Sequence, residues 1–242
     1  MISFTFSSIF VTLNFFMSLL SSLSVKSVVV EYRIRKQLWS PEVRSKERGS
    51  GGQRKQDLEL RVRTSNIGIL EAKLLELANE LSKYRIHVAC VQETRWKGQK
   101  AKGIKGYKLW YAGLDGIRNE VGILVSNDIL KQLVEVKRCN DRIMLVRIVV
   151  GEEIISIVSA YGPQVGLDEQ VKCEFWDNLG DLMRTIPEDE KVFLGGDFNR
   201  HIGRDAGNYN SVHGGFGLGA RNKSEENLLE FALANDYSKL DL

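Results

Sequence analysis

The sequence predicts a mixed α/β domain over residues 57–242, in the α+β sense of mixed sheets with helices outside them. Three observations carry that expectation. A strand pattern, an amphipathic helix and a short apolar run follow one another at the start of the region. Strand-type runs then succeed each other with Gly or polar breaks between them. Finally, 43% of the chain is hydrophobic, which excludes a disordered, collagen-like or coiled-coil protein.

Taken in order, Leu58, Leu60, Val62 and Thr64 alternate with Glu59, Arg61, Arg63 and Ser65, the period of a half-buried strand. Leu70, Leu74, Leu77, Ala78 and Leu81 recur at helical spacing and predict a helix over 70–83. Residues 86–92 read as a buried strand. Further strands are expected at 107–112, 121–126, 132–138, 142–150 and 153–161. Val171, Phe175, Leu179 and Leu182 predict a second helix over 168–184. Val192-Phe-Leu194 is a strand leading into Gly195-Gly196, and 225–236 reads as a third helix.

The residues before position 57 have a different character. Residues 1–25 carry no charge, and Ile2 to Leu23 contains 13 apolar residues against 9 Ser, Thr or Asn. That polarity weakens a membrane-spanning reading, and no Lys or Arg precedes the apolar stretch as a signal peptide requires. A hydrophobic, Ser-rich leader is expected there, followed by a basic flexible linker over 26–56. Residues 26–63 hold eleven basic and five acidic side chains, so 64–242 is left slightly acidic despite the overall charge of +3. Net charge therefore supplies no argument that the domain binds nucleic acid. Three widely spaced cysteines, Cys90, Cys139 and Cys173, make neither a disulfide framework nor a zinc site, and they indicate a reducing compartment.

Candidate chemistry collects at strand ends. Predicted strands stop at Asn66, at Glu93, at Tyr161 and at Asp197-Phe-Asn199. The crevice beyond the carboxyl ends of strands is a common ligand site in α/β sheets. Glu93 and Asp197 are hard oxygen donors suited to Mg²⁺. Asn66 and Asn199 can orient a phosphate without repelling it, and the Tyr161 hydroxyl can donate to a non-bridging oxygen. Each residue taken alone also has a plain structural reading: a surface ion pair with Arg95 for Glu93, a packed aromatic entering a turn for Tyr161, and self-capping of a loop for Asp197 and Asn199.

Together, Thr64-Ser-Asn-Ile-Gly68, Val91-Gln-Glu-Thr-Arg-Trp96, Ser159-Ala-Tyr-Gly-Pro163 and Gly195-Gly-Asp-Phe-Asn199 resemble the endonuclease/exonuclease/phosphatase superfamily, which includes pancreatic deoxyribonuclease and the apurinic endonucleases. Arg200-His-Ile-Gly-Arg-Asp205 and Ser211-Val-His-Gly-Gly-Phe216 are similar to retrotransposon-derived endonuclease domains of the craniofacial development protein 2-like group. The resemblance covers about 57–237. It implies a four-layer α/β-β/α sandwich of the deoxyribonuclease type and Mg²⁺-dependent cleavage of phosphodiesters, with Mn²⁺ as a substitute ion. It further implies nucleic acid, DNA in the first instance, as partner, and a nuclear or cytoplasmic location. By the same resemblance Glu93 is the metal ligand with Asn66 beside it, Tyr161 contacts the scissile phosphate, and Asp197 orients the attacking water with Asn199 alongside.

The sequence also departs from that pattern. Ser65 and Glu120 stand where the family usually has an aromatic residue and a glycine. Lys239-Leu-Asp-Leu242 comes before the Ile-Asp and Ser-Asp-His motifs with which family members end. The expectation is therefore a partial domain lacking its last strands, with an unpaired sheet edge and impaired or lost hydrolysis. His87 is expected to be a packed residue, and neither His201 nor His213 is expected to replace the missing histidine. Two other readings follow from the same residues: a non-catalytic remnant that binds nucleic acid through 26–63, and a membrane-associated phosphatase of the same superfamily.

Overall fold

In a computed structural model, residues 9–13, 26–35, 57–67, 71–94, 98–113, 121–164, 166–199, 233 and 237–238 are described. They build two six-stranded mixed sheets. The first sheet is formed by β2 (Lys26–Arg35), β3 (Asp57–Asn66), β4 (Val88–Gln92), β7 (Val121–Ser126), β6 (Tyr107–Gly113) and β5 (Gly98–Ile104), in that spatial order. The second has the order β12 (Tyr237–Ser238), β1 (Ile9–Leu13), β11 (Lys191–Asp197), β10 (Glu153–Tyr161), β9 (Ile143–Val150) and β8 (Leu133–Arg138). Helix α1 (Glu71–Lys83) follows β3, and α2 (Glu169–Arg184) joins β10 to β11.

Side-chain alternation decides the layering. Leu60, Val62, Val88, Cys90, Ile123 and Val125 of the first sheet meet Met144, Val146, Ile148, Ile155, Ile157 and Phe193 of the second in one central core. The opposite parity of the first sheet, Ala89, Val91, Leu109 and Leu124, packs under Leu74, Leu77, Ala78 and Leu81 of α1. Ile143, Leu145, Val158, Ala160, Val192 and Leu194 pack in the same way under Phe175, Leu179, Leu182 and Met183 of α2. The result is the expected four-layer sandwich, α1 over one sheet and α2 over the other. Both faces of the central strands are buried, which explains why 88–92 and 121–126 are uniformly buried rather than alternating.

Several sequence expectations are revised. Within the segment read as leader and linker, β1 pairs in parallel with β11, and β2 pairs with β3 along ten residues from Lys26↔Asn66 to Arg35↔Asp57. Both strands carry the β-branched and aromatic residues that favour extended chain; the scattered Ser and Lys obscured them. Among the described residues, β3 is thereby paired with β2, and β11 with β1. Strand β5, Gly-Gln-Lys-Ala-Lys-Gly-Ile, was unforeseen because an exposed edge strand has little apolar pattern. Its turn to β6 uses Lys105 and Gly106, both at positive φ, as a two-residue hairpin of this hand requires. Strand β11 runs through Gly195 and Gly196 to Asp197. The glycine-rich Arg44–Lys55 stretch, Glu120, His201, His213, and the predicted 225–236 helix apart from Leu233 lie outside the described residues.

Candidate active site

The four strand-end residues converge. Parallel pairing aligns Asn66 with Gln92 in one sheet, and Tyr161 with Asp197 in the other, so both sheets present their site residues at the same end of the sandwich. Two glycines make that convergence possible. A Cβ at Gly195 would lie 3.2 Å from the Thr64 Cβ and 3.3 Å from Cys90, so the sheets approach closely there. At Gly196 it would stand 2.1 Å from the Ala160 carbonyl oxygen, which forbids any side chain.

The geometry centres on one amide. Asn66 Nδ2 donates to Glu93 Oε1 at 2.9 Å and to Asp197 Oδ2 at 2.7 Å, linking carboxylates from the two sheets. The Tyr161 hydroxyl donates to the same Glu93 oxygen at 3.0 Å. Asp197 Oδ1 accepts from the Asn199 backbone N–H at 2.9 Å, and Asn199 Nδ2 donates to the Gly162 carbonyl at 2.7 Å. All five predicted residues, Asn66, Glu93, Tyr161, Asp197 and Asn199, therefore form one connected cluster. Asp197 is buried while Glu93, Asn66 and Asn199 are half-exposed, so the cluster opens outward from a sunken aspartate. Glu93 and Asn199 both hold positive φ, of 58° and 52°. A left-handed glutamate is strained backbone, and here it turns the carboxylate toward Asn66 and Tyr161.

Burial raises the Tyr161 phenol above its ordinary value, and the neighbouring Glu93 charge pushes it further in the same direction, against hydrogen bonds from Asn199 and Gln164. Tyr161 is thus held as a donor. Arg142, which the sequence reading did not single out, flanks it. Its Nη1 donates to the Tyr161 carbonyl at 3.2 Å, its guanidinium lies 5.8 Å from the Tyr161 ring centroid, and its carbonyl accepts the Tyr161 N–H at 2.9 Å. The signal was present in Asn140-Asp-Arg142, where Asn140 Oδ1 receives the Arg142 N–H and turns the chain into β9. Beneath the cluster, Gln92 Nε2 reaches Thr64 Oγ1 and Ser159 Oγ, while Gln92 Oε1 and Ser65 Oγ are buried without a hydrogen-bond partner. His87 lies at the far end of β4, where its Nδ1 accepts the Arg61 N–H.

The donor set suits a hard divalent cation. Two carboxylates share a single neutral amide donor, leaving negative oxygens concentrated at a half-open rim; Mg²⁺ typically takes one or two carboxylates and keeps several waters. Among the described residues no group of three or more His, Cys, Asp and Glu gathers, so a fully protein-liganded site of the zinc type has no candidate there.

The fold is thus a two-sheet α/β sandwich with acidic and amide residues gathered at one end. A model of the Endonuclease/Exonuclease/phosphatase family matches residues 64–221, and the chain belongs to that family. Its members generally use divalent metal ions. The chain is 25% identical over 175 residues to craniofacial development protein 2 of Bos taurus, and 23% identical to the Tragulus javanicus protein of that name. The match covers 72% of this chain but only 28% and 29% of those relatives' length. Among solved structures, the endonuclease domain of TRAS1, a telomere-specific non-LTR retrotransposon, superposes with a TM-score of 0.52 at 17% identity. That match covers 75% of this chain and 74% of the other, and shows a shared fold.

Proposed function

We propose that this chain hydrolyses phosphodiester bonds in nucleic acid, DNA in the first instance, with Mg²⁺ or Mn²⁺ bound at Glu93 beside Asn66. The observation that carries the proposal is the Asn66 amide shared between Glu93 and Asp197, which ties a metal-type carboxylate to a second carboxylate available for water. A divalent ion bound there supplies charge neutralisation on the phosphoryl and leaving-group oxygens. The protein's own groups supply orientation. Asp197, held by the Asn199 N–H, accepts a hydrogen bond from the attacking water and draws off its proton. Tyr161 donates to a non-bridging oxygen of the scissile phosphate, and Asn199 lies alongside, fixed by its bond to Gly162. His87 is remote and paired with β3, so it contributes no acid to the leaving group.

The test is nicking of supercoiled plasmid by the full chain with Mg²⁺, against Asp197→Ala and against EDTA. Nicking that needs both the metal and Asp197 is the expected result. Equal conversion by wild type and Asp197→Ala would overturn the assignment.

A further inference from the structure

The charge arithmetic of the whole domain hides a local asymmetry. Residues 95–113 contain Arg95, Lys97, Lys100, Lys102, Lys105 and Lys108 and no acidic residue. The structure folds the last four of these onto the β5–β6 hairpin, where Lys100, Lys102, Lys105 and Lys108 are all exposed. The hairpin is an edge of the first sheet, and its position is not accidental with respect to the site. Gly98 pairs with Gly113, Ala112 with Val121, and Val121 with Gln92, so β5 starts at the same end of the sheet as the strand preceding Glu93. Arg138, at the end of β8 in the other sheet, pins it there by donating to the carbonyls of Lys100 and Tyr111, each at 3.2 Å. Half-buried Arg138 thus adds a cation beside the site end of the hairpin.

Resting on the reading of this site as a phosphodiester hydrolase, we propose that the site end of β5, carrying Lys100 and Lys102, is a backbone grip, holding phosphates of the nucleic acid flanking the cleaved bond. Strand β5 is three strands from β4 in the first sheet, about 14 Å at the ordinary strand spacing. Lys100 and Lys102 follow Gly98 closely along the strand, whereas Lys105 stands in the turn at the opposite end of the sheet, level with Ser126 and His87. Lysines are point charges without a bidentate fork, which suits sequence-independent phosphate contact rather than base reading. The competing explanation is that edge lysines only keep β5 from pairing with another sheet. The two explanations separate experimentally.

The probe is a fluorescein-labelled 20-base-pair DNA duplex, titrated with the full chain in EDTA at several salt concentrations and followed by anisotropy. Replacing Lys100 and Lys102 by Gln is expected to lower the slope of log K against log salt by about two, at about 0.9 per lost phosphate contact. Affinity near 0.1 M salt falls correspondingly, by roughly tenfold per contact. Arg at both positions, which keeps the charge, restores both. In the nicking assay the Gln variant retains kcat at saturating DNA while KM rises. An unchanged slope in the Gln variant, or self-association of that variant with unchanged DNA affinity, overturns the grip. Binding that follows the expected slopes without any Asp197-dependent nicking supports the grip and overturns only the catalytic reading.

Discussion

At Tyr161, three separate constraints act on one side chain. The hydroxyl is spoken for by Glu93, the carbonyl by Arg142, and the ring by the Arg142 guanidinium. Tyr161→Phe removes a donor aimed at developing negative charge, and kcat for plasmid nicking is expected to fall about 10²- to 10³-fold. The raised phenol adds a pH expectation: because the donating form persists above its ordinary value of 10.0, activity should not decline through Tyr161 ionisation between pH 8 and 10. A wild-type alkaline limb below pH 10 that vanishes in Tyr161→Phe would contradict this. Of the residues in the cluster, Asn66, Glu93, Tyr161, Asp197 and Asn199 were legible in the sequence because each ends or follows a strand within a short, recognisable motif. Arg142 was not, since only the Asn140-Asp-Arg142 turn hints at it, and its guanidinium meets a backbone carbonyl and a ring face of Tyr161, partners that no motif spacing names.

At the scale of elements, the legible strands were those with two buried faces or clear alternation, such as β3, β7 and β10. The edges escaped, because β5 is exposed and lysine-rich and β1 and β2 stand in a Ser-rich, basic context; edge strands are selected for solubility and against association, which erases apolar pattern. Strand β2 nonetheless does an element's work, covering β3 across ten paired positions. Deleting residues 1–35 is expected to leave that row of backbone groups open and to convert the protein to oligomers, as size-exclusion chromatography with light scattering would show. A monodisperse monomer after the deletion would refute the role given to β2. The β10–β11 pair is equally constrained from inside. Gly196→Ala drives a Cβ against the Ala160 carbonyl, and a loss of about 1–3 kcal/mol is expected, read as a lowered urea midpoint at constant slope.

The molecule as a whole shields its buried protons. Burial pushes the Cys90 thiol, between the two sheets, up to about 12, and burial first, then Asp128, pushes the Tyr107 phenol to about 12. Unfolded, these groups titrate near 9.0 and 10.0. Between those values and 12 the native state holds more protons than the unfolded chain, so stability must fall as pH rises. Thermal melts should show Tm level from pH 7 to 9 and declining above it, with a shallower decline in Cys90→Ala. No helix among the described residues is long and apolar enough to cross a membrane; their largest shared apolar cluster lies in the central core between the sheets. How that core comes together in time is written into one pairing: Phe10 of β1 lies beside Phe193 of β11. Strand β1 leaves the ribosome before β11, yet its place exists only once β10, α2 and β11 have been made. A strand made before its neighbour must wait for it, which makes sheet closure a late, slow event dominated by long-range contacts.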